Sequence, residues 1–240
     1  MNHNVTILVD NLNGTQSGFV KSYGFAVLIE KNDQQILFDV GTKVHALMKN
    51  LKVLGTGATE LDAIILSHNH YDHTDGLPGI LNENPNIPIY IHKDWNKPAS
   101  FKGVLVPKPN RKVVKRAREL KDVCKGIYIT DSFLSPDYGG VYEQAIYVEG
   151  NDQCILICGC CHPGLNVFIE EREKLGISLM KELTIMGGFH GFSFSDKRAE
   201  ELDSIIRKVY LCHCTQKTDT FKSQFGEKCE FGMVGRKMSF

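Results

Sequence analysis

The chain has 240 residues, 42% of them hydrophobic, which is ordinary for a globular protein. Its 28 basic and 28 acidic residues balance, so the charge gives no reason to expect a nucleic acid or an anionic membrane as a partner. No apolar run reaches the ~18 residues of a membrane span, and the first residues, MNHNVTILVD, lack a secretory signal, so we expect a cytoplasmic protein.

The first half predicts short strands with few helices. A helix over 43–51 carries one apolar face, and Gly55 is a natural C-terminal cap. A second helix is predicted over 115–123, in the basic segment 108–121, which we interpret as a solvated helix face rather than an anion-binding arm. Strands are predicted over 5–10, 23–30, 35–40, 63–67 and 87–92.

The second half continues this pattern. Ser195 is a predicted N-cap, and the helix that it begins carries Ala199, Leu202, Ile205 and Ile206 on one face. Strands are predicted over 126–130, 144–150, 153–159, 182–188 and 208–213, and helices over 164–176, 195–208 and 218–226. The pattern alone indicates an α/β or α+β protein, and we expect one domain over residues 1–240.

The segment SHNHYDH (67–73) crowds four potential metal ligands into six residues: His68, His70, Asp72 and His73. It follows a short buried strand, and ligand sites of open α/β sheets lie beyond the carboxyl ends of strands. On extended backbone His68 and His70 point the same way, while Asp72 and His73 fall where the chain turns. Imidazoles and a carboxylate suit zinc, iron or manganese. Two such ions would activate water or hold a phosphate.

The H-x-H-x-D-H spacing after a buried strand resembles the signature of the metallo-β-lactamase fold superfamily. The segment ILFDVG (36–41) resembles its early hairpin turn, which implies that Asp39 orients the metal ligands without binding metal. The resemblance implies an α+β fold, a four-layer αββα sandwich. It also implies one or two divalent metal ions, with zinc as our first expectation and iron or manganese as alternatives.

Three further histidines follow predicted strands: His162, His190 and His213. Together with the motif they indicate one shared site, whereas His3, His45 and His92 have no such context and are expected to be surface or satisfied residues. His213 resembles the superfamily's last histidine ligand. His162 is our predicted further ligand.

The cysteines leave an alternative open beside His162. Five of the eight lie in CGCCHPG (158–164) and CHCT (212–215), without the even spacing of a disulfide framework or the C-x-x-C pairs of a zinc ribbon. Either His162 is a ligand with Cys160 nearby, or Cys160 takes the position of the superfamily's bridging acid and His162 lies next to the metal or faces substrate. The other three, Cys124, Cys154 and Cys229, are expected to be buried apolar residues.

The segment MGGFHGF (186–192) predicts a loop at the same end of the sheet. His190 either binds metal or contacts substrate as an acid, a base or a phosphate donor, and we favour the substrate role. Phe189 and Phe192 are predicted to wall an apolar pocket, and Thr215 to offer a hydroxyl to substrate at a helix start.

The segments VDN, SHNHYDHTDGL, EQAIYV, GCCHPG, GGFH and HCT, in this order, are similar to the subfamily of dihydropterin ribofuranosyl-aminobenzene phosphate synthase. Members usually carry G-C-S-H and H-C-T-G, where this chain has Cys161 and Gln216. That resemblance implies a transferase that joins a pterin methyl diphosphate to an arylamine ribose phosphate.

Three functions therefore compete. The first is a metal-dependent hydrolase that cleaves a phosphoester or other ester, with Asp72 and His190 as catalytic residues. The second is the transferase, and the third is a non-enzymatic metal or redox sensor that uses the cysteines. The first two imply a small-molecule substrate, which we expect to be phosphorylated, and no nucleic acid or membrane.

Overall fold

The computed structural model describes residues 3–97 and 100–240. In this part of the chain the strands are β1 (Asn4–Val9), β2 (Ala26–Lys31), β3 (Gln34–Phe38), β4 (Ala63–Ile65), β5 (Ile89–His92), β6 (Arg111–Val114), β7 (Arg118–Glu119), β8 (Ile127–Ile129), β9 (Phe133–Ser135), β10 (Val141–Glu143), β11 (Ile146–Glu149), β12 (Gln153–Cys158), β13 (Glu182–Gly187), β14 (Ile206–Leu211), β15 (Cys229–Phe231) and β16 (Lys237–Ser239). The α-helices are α1 (Val44–Val53), α2 (Tyr71–Thr74), α3 (Leu77–Glu83), α4 (Leu165–Lys174), α5 (Asp196–Asp203) and α6 (Thr218–Phe225).

Two seven-stranded mixed sheets dominate the fold. The first has the order β16-β1-β2-β3-β4-β5-β6, and the second has the order β15-β14-β13-β12-β11-β8-β7. A separate two-stranded hairpin joins β9 to β10. In the first sheet β3 to β6 run parallel, as do β12 to β15 in the second, so each sheet presents several strand ends at one edge.

Three buried apolar clusters define the layers. One lies between the sheets and joins residues such as Phe38 of the first sheet to Ile157 of the second. Another packs α1 and α3 on the outer face of the first sheet, and the third packs α4, α5 and α6 on the outer face of the second. The order is therefore helix, sheet, sheet, helix, the αββα sandwich that the resemblance implies. Within the described ranges, no helix is long and apolar enough to cross a membrane.

Local signals explain most elements. Leu47 and Leu51 of α1 are buried, and Gly55 after the helix has φ +78°, as a C-terminal glycine does. The Ser195 side chain accepts a hydrogen bond from the Arg198 N–H and caps α5, as predicted.

Two helix predictions are wrong. The segment predicted as a helix over 115–123 instead follows β6 and contains β7, because the pairing of Arg118 and Glu119 with β8 overrides the helix propensity of its Ala, Arg, Glu and Leu residues. Helix α5 ends before Ile205, and Ile206 begins β14, which pairs in parallel with β13.

Candidate metal centre

The histidine-rich motif begins directly after β4 and is held by the neighbouring backbone. The short helix α2 carries Asp72 and His73. The Phe25 N–H donates to the Asp72 carbonyl at 3.2 Å, and the Val40 N–H donates to the His73 carbonyl at 2.9 Å. A Cβ at Gly24 would lie 2.1 Å from the Asp72 carbonyl oxygen, so this approach requires glycine.

His68, His70 and His162 form a first cluster of potential ligands, which we call the histidine group. One ligand atom from each lies within 4.8 Å of the others. His68 Nε2 and His70 Nδ1 are 3.1 Å apart. The buried Nε2 of His162 has no hydrogen-bond partner among the described residues. Three imidazoles therefore converge with lone pairs available to one cation.

Asp72, His73, Cys160 and His213 form a second cluster, which we call the mixed group, with ligand atoms again within 4.8 Å of one another. His73 Nε2 lies 3.1 Å from Cys160 Sγ, and His213 Nε2 lies 2.9 Å from Asp72 Oδ2. The ring centroids of His68 and His73 are only 4.2 Å apart, so the two groups are adjacent.

Asp39 is linked by hydrogen bonds to one histidine of each group. Its Oδ2 lies 2.7 Å from His73 Nδ1 and accepts a hydrogen bond from Ser67 Oγ at 2.7 Å. Ser67 Oγ in turn lies 2.8 Å from His68 Nδ1. Oxygen partners of this kind fix the tautomer and orientation of a histidine ligand. The placement of Asp39 favours the orienting role that the resemblance implies.

Two more oxygen partners come from residues that sequence reasoning missed. Asn11 Oδ1 lies 2.6 Å from His213 Nδ1, and Asp137 Oδ2 lies 3.2 Å from His162 Nδ1. Asn11 belongs to the VDN segment, but its role depends on a contact across 202 residues of sequence. Asp137 lies on the loop between β9 and β10, where the turn residues gave no sign of a site.

The charge state of the histidine group follows from burial. Burial, with the neighbouring histidines, lowers the pKa of His70 to about 4 and that of His162 to about 3. The same causes hold the pKa of His68 well below its ordinary value. These rings are therefore neutral at pH 7, the form that binds a metal.

The mixed group behaves differently. Burial opposes the charged form of His73, but the Asp39 and Asp72 carboxylates outweigh it and raise the pKa of His73 to about 9. Burial likewise opposes ionised Asp72, yet His73 and His213 bring its pKa below the ordinary value. Burial and nearby Cys214 raise the pKa of the Cys160 thiol well above its ordinary value.

These donors fit divalent metal ions. Nitrogen, oxygen and sulfur atoms converge in two neighbouring sets, and the buried Nε2 atoms of His70 and His162 lack a protein partner within the described ranges. Buried polar atoms without partners are uncommon, and a ligand or ion at the site explains them. The histidine group offers nitrogen alone, while the mixed group adds a carboxylate and a thiol, a set that suits zinc, iron or manganese.

Glu143 on β10 fixes the backbone of the loop that carries Cys160 and His162. Its fully buried carboxylate accepts hydrogen bonds from the N–H groups of Cys160, Cys161 and His162 at 2.8–2.9 Å. Burial still raises the pKa of Glu143, to about 7. Gly164 is the N-cap of the following helix, which begins at Leu165.

A cavity of about 270 Å³ opens above both groups. It is lined by Tyr23, His70, Tyr71, Asp72, Phe101, Tyr138, Cys160, His162, His190 and Cys214. Its aromatic rim comes from residues that sequence reasoning did not select. A larger groove of about 850 Å³ runs along α1, and His45 is the one histidine among the described residues that line it. Cavity volume alone therefore does not identify the metal centre.

We predicted that His190, Phe189 and Thr215 contact substrate. Of these three residues, His190 alone lines the cavity. His190 lines the cavity, with Nε2 3.0 Å from the Tyr138 hydroxyl, and one of its nitrogens also lies within 4.8 Å of ligand atoms of Asp137 and His162. Phe189 is fully buried and packs on Phe221 instead of walling the cavity, because the chain turns at His190.

The prediction for Thr215 is also wrong. Its buried hydroxyl donates to the Cys212 carbonyl at 2.7 Å and accepts from the Phe189 N–H at 3.1 Å, so it holds two loops together. It precedes α6, which begins at Thr218.

Among the remaining histidines, His45 is exposed, as expected. The prediction for His92 is wrong: it is buried, and neither ring nitrogen has a hydrogen-bond partner among the described residues. His92 ends β5, where the inward position next to Trp95 hides the ring. His3 is half-buried beside Phe240.

Unusual backbone conformations concentrate here. Of the eight described non-glycine residues with positive φ, six surround this site: Asp39, Phe101, Tyr138, Cys161, His190 and His213. Such conformations are costly and persist where surrounding contacts fix them, often at functional sites.

Comparison with known proteins agrees with this architecture. Residues 21–136 match the model of the metallo-beta-lactamase superfamily. The chain carries a metallo-beta-lactamase domain. Over its whole length and 97% of the relative's, it is 26% identical to 7,8-dihydropterin-6-methyl-4-(beta-D-ribofuranosyl)-aminobenzene-5'-phosphate synthase from Methanocaldococcus jannaschii.

Two solved structures show the same fold. Tm1679, a metal-dependent hydrolase of the beta-lactamase superfamily, superposes with a TM-score of 0.72 over 98% of each chain at 22% identity. The metallo-beta-lactamase fold protein YhfI from Bacillus subtilis superposes with a TM-score of 0.64 over 100% of this chain and 99% of the YhfI chain, at 16% identity. The predicted fold class and family resemblance are confirmed.

Proposed function

We propose that this protein is a metal-dependent hydrolase that cleaves a phosphoester or other ester of a small, phosphorylated molecule. The observation that carries the proposal is the adjacency of the two ligand groups beneath one cavity. When bound, divalent ions, zinc first among them, would act as Lewis acids and lower the pKa of water toward about 7. His68, His70 and His162 would hold one ion, and Asp72, His73, His213 and Cys160 the other.

The chain's own residues supply the remaining chemistry. Asp72 lines the cavity, and its lowered pKa keeps it ionised at neutral pH. Its carboxylate can therefore orient the attacking water and accept a proton from it. His190 lines the same cavity beside His162, with ring centroids 4.8 Å apart, and can supply a proton from Nε2 to the leaving oxygen. Asp39 keeps His73 directed at the site.

A second candidate is transfer instead of hydrolysis. The full-length similarity to the M. jannaschii synthase favours it. In that reaction the same cavity would take a pterin methyl diphosphate, and an arylamine ribose phosphate would replace water as the nucleophile.

We also propose a cytoplasmic location. All eight cysteines are free thiols, and free thiols persist in reducing compartments.

Product analysis in ¹⁸O-labelled water tests the proposal. The zinc-, iron- or manganese-loaded protein is offered aryl phosphodiesters and carboxyl esters, and hydrolysis places one ¹⁸O atom in the released acid. Release of pyrophosphate from an added pterin methyl diphosphate that depends on an added arylamine, with no ¹⁸O uptake from simple esters, would replace the hydrolase with the transferase. Metal binding without either turnover, but with reversible thiol oxidation that changes metal affinity, would favour a sensor.

A further inference from the structure

The tip of the β9–β10 hairpin, residues 136–140, reaches over the histidine group. Asp137 contacts His162 from this tip, and the next residue, Tyr138, turns its ring into the cavity. The centroid of the Tyr138 ring lies 5.6 Å from that of His70 and 5.7 Å from that of His162, in edge-to-face geometry. The hairpin therefore belongs to the site, although the metal ligands all lie outside it.

Tyr138 adopts a backbone conformation that is rare for a bulky side chain. Its φ and ψ are 51° and 32°, in the left-handed region, and two glycines follow it. The Ser100 N–H donates to the Tyr138 carbonyl at 3.2 Å, and the Gly140 N–H donates to the Asp137 carbonyl at 2.9 Å. Burial of an apolar ring does not explain this conformation, because Tyr138 remains 43% exposed.

The hydroxyl of Tyr138 explains the placement better. It lies 3.0 Å from His190 Nε2, on the cavity wall. When Nε2 carries the hydrogen, His190 donates to the phenol oxygen, and the phenol hydrogen is free to point into the cavity. A chain of two hydrogen bonds strengthens the outer donor.

The cavity wall offers few other donors for a negatively charged group. Of the described residues that line it, none is a lysine or an arginine. Tyr23 and Tyr71 stand at another part of the wall and stack on each other with centroids 6.2 Å apart. Tyr138 and His190 are thus the paired donors beside the histidine group.

We propose that Tyr138 and His190 form an oxyanion-binding pair that receives a phosphoryl or carboxylate oxygen of the substrate. This inference rests on the proposed function, because it concerns the cavity where that reaction would occur. Tyr138 makes the direct contact, and the Nε2–H of His190 supports its hydroxyl, so a proton from His190 would reach the leaving oxygen by relay through that hydroxyl.

Calorimetric titration of zinc-loaded protein with inorganic phosphate, and separately with acetate, tests the pair without turnover. Tyr138→Phe removes one oxygen atom and should raise the Kd for the preferred anion about 10-fold or more, the usual effect of losing a hydrogen bond to a charged group. Tyr142→Phe is the matched control: it is the same change on the same hairpin, at a residue outside the cavity lining. A stronger effect on phosphate identifies a phosphoryl group, and one on acetate a carboxylate.

A double variant guards against a merely structural effect. Tyr138→Phe and His190→Gln should be non-additive in anion affinity, because each disrupts the same pair. Unchanged anion affinity in Tyr138→Phe, or an equal loss in Tyr142→Phe, would overturn the inference. If the pair behaves as expected but no substrate is turned over, the proposed hydrolase fails and the pair stands. If substrate is turned over but Tyr138→Phe leaves anion affinity unaltered, the hydrolase stands and the pair fails.

Discussion

The histidine group and the mixed group lie side by side, but they differ in charge. The first consists of three imidazoles whose pKa values burial has lowered, so it is neutral before a metal arrives. The second combines a carboxylate, a thiol and two histidines, one of which has a pKa raised to about 9. Metal binding therefore needs no proton release at the first group, whereas the second must lose at least the His73 proton.

The largest expected effect comes from removing a ligand of one group. His70→Ala should eliminate the metal at the histidine group and His213→Ala that at the mixed group, each lowering activity by roughly 10⁴-fold or more, since bound metal contributes several kcal/mol to the transition state. Elemental analysis should show one metal equivalent lost in each variant. His45→Ala, at an exposed histidine, is the control. Loss of both equivalents from either variant would mean that the groups are not separate sites.

His190→Ala tests whether His190 is a metal ligand of the histidine group or a proton donor beside it. We expect full metal occupancy and a kcat lower by about 10²–10⁴-fold, the contribution of a positioned proton donor. Steady-state kinetics together with metal analysis of the same sample provide both readouts. A missing metal equivalent would make His190 a fourth member of the histidine group and would remove its assigned role as donor.

The Asp39 carboxylate should affect both groups. Asp39→Asn is expected to weaken metal affinity or activity by about 10–100-fold, because it disturbs His73 directly and His68 through Ser67. Ser67→Ala should weaken only the histidine group. Competition with a chromophoric chelator measures both affinities, and an Asp39→Asn protein with unchanged affinities would show that this carboxylate does not orient the ligands.

The pH dependence should separate the groups by at least one proton. Below pH 9, each unit of falling pH should weaken binding at the mixed group at least tenfold, because the metal displaces the proton of His73 and, where Cys160 binds it, that of the thiol. At the histidine group, with pKa values of about 3 and 4 for His162 and His70, affinity should stay level from pH 9 down to about 5. Titration calorimetry in buffers of different ionisation enthalpy counts the released protons, and equal counts for both metals would refute the assignment.

The same shifts predict the stability of the metal-free protein. The raised pKa of His73 contributes stability that is fully present below its ordinary pKa of 6.5 and is lost as the pH rises through 9. His70 and His162 act oppositely: the unfolded chain binds their protons first, so stability falls as the pH drops from 6.5 toward 4. Thermal melts of His162→Gln should show a shallower loss over pH 6.5–4 than the unaltered chain, and parallel curves would contradict this.

Sequence patterns predicted those parts of the site whose residues are close in sequence or end a strand. Four ligands within six residues need only a strand and a turn to converge, and the carboxyl ends of β12 and β14 bring His162 and His213 to the same edge. Asn11 and Asp137 were missed because their histidine partners lie 202 and 25 residues away, at distances that only the fold closes.

Local propensity also failed where tertiary contacts decide. The segment over 115–123 has helix-forming residues, but Arg118 and Glu119 in it pair with β8 and exclude a helix there. Phe189 precedes a histidine with φ of 39°, and that turn sends the aromatic ring into the core beside Phe221. The sequence shows that an aromatic residue is present but not which side of the loop it occupies.

The most direct test of two adjacent metal sites is a crystal structure of the zinc-loaded protein, with anomalous scattering measured at the zinc edge. We expect two anomalous peaks about 3.5–4 Å apart. One should be bound by His68, His70 and His162, and the other by Asp72, His73 and His213, with Cys160 Sγ within bonding distance. A single peak, or two peaks whose ligands come from only one of the groups, would contradict the division into a histidine group and a mixed group.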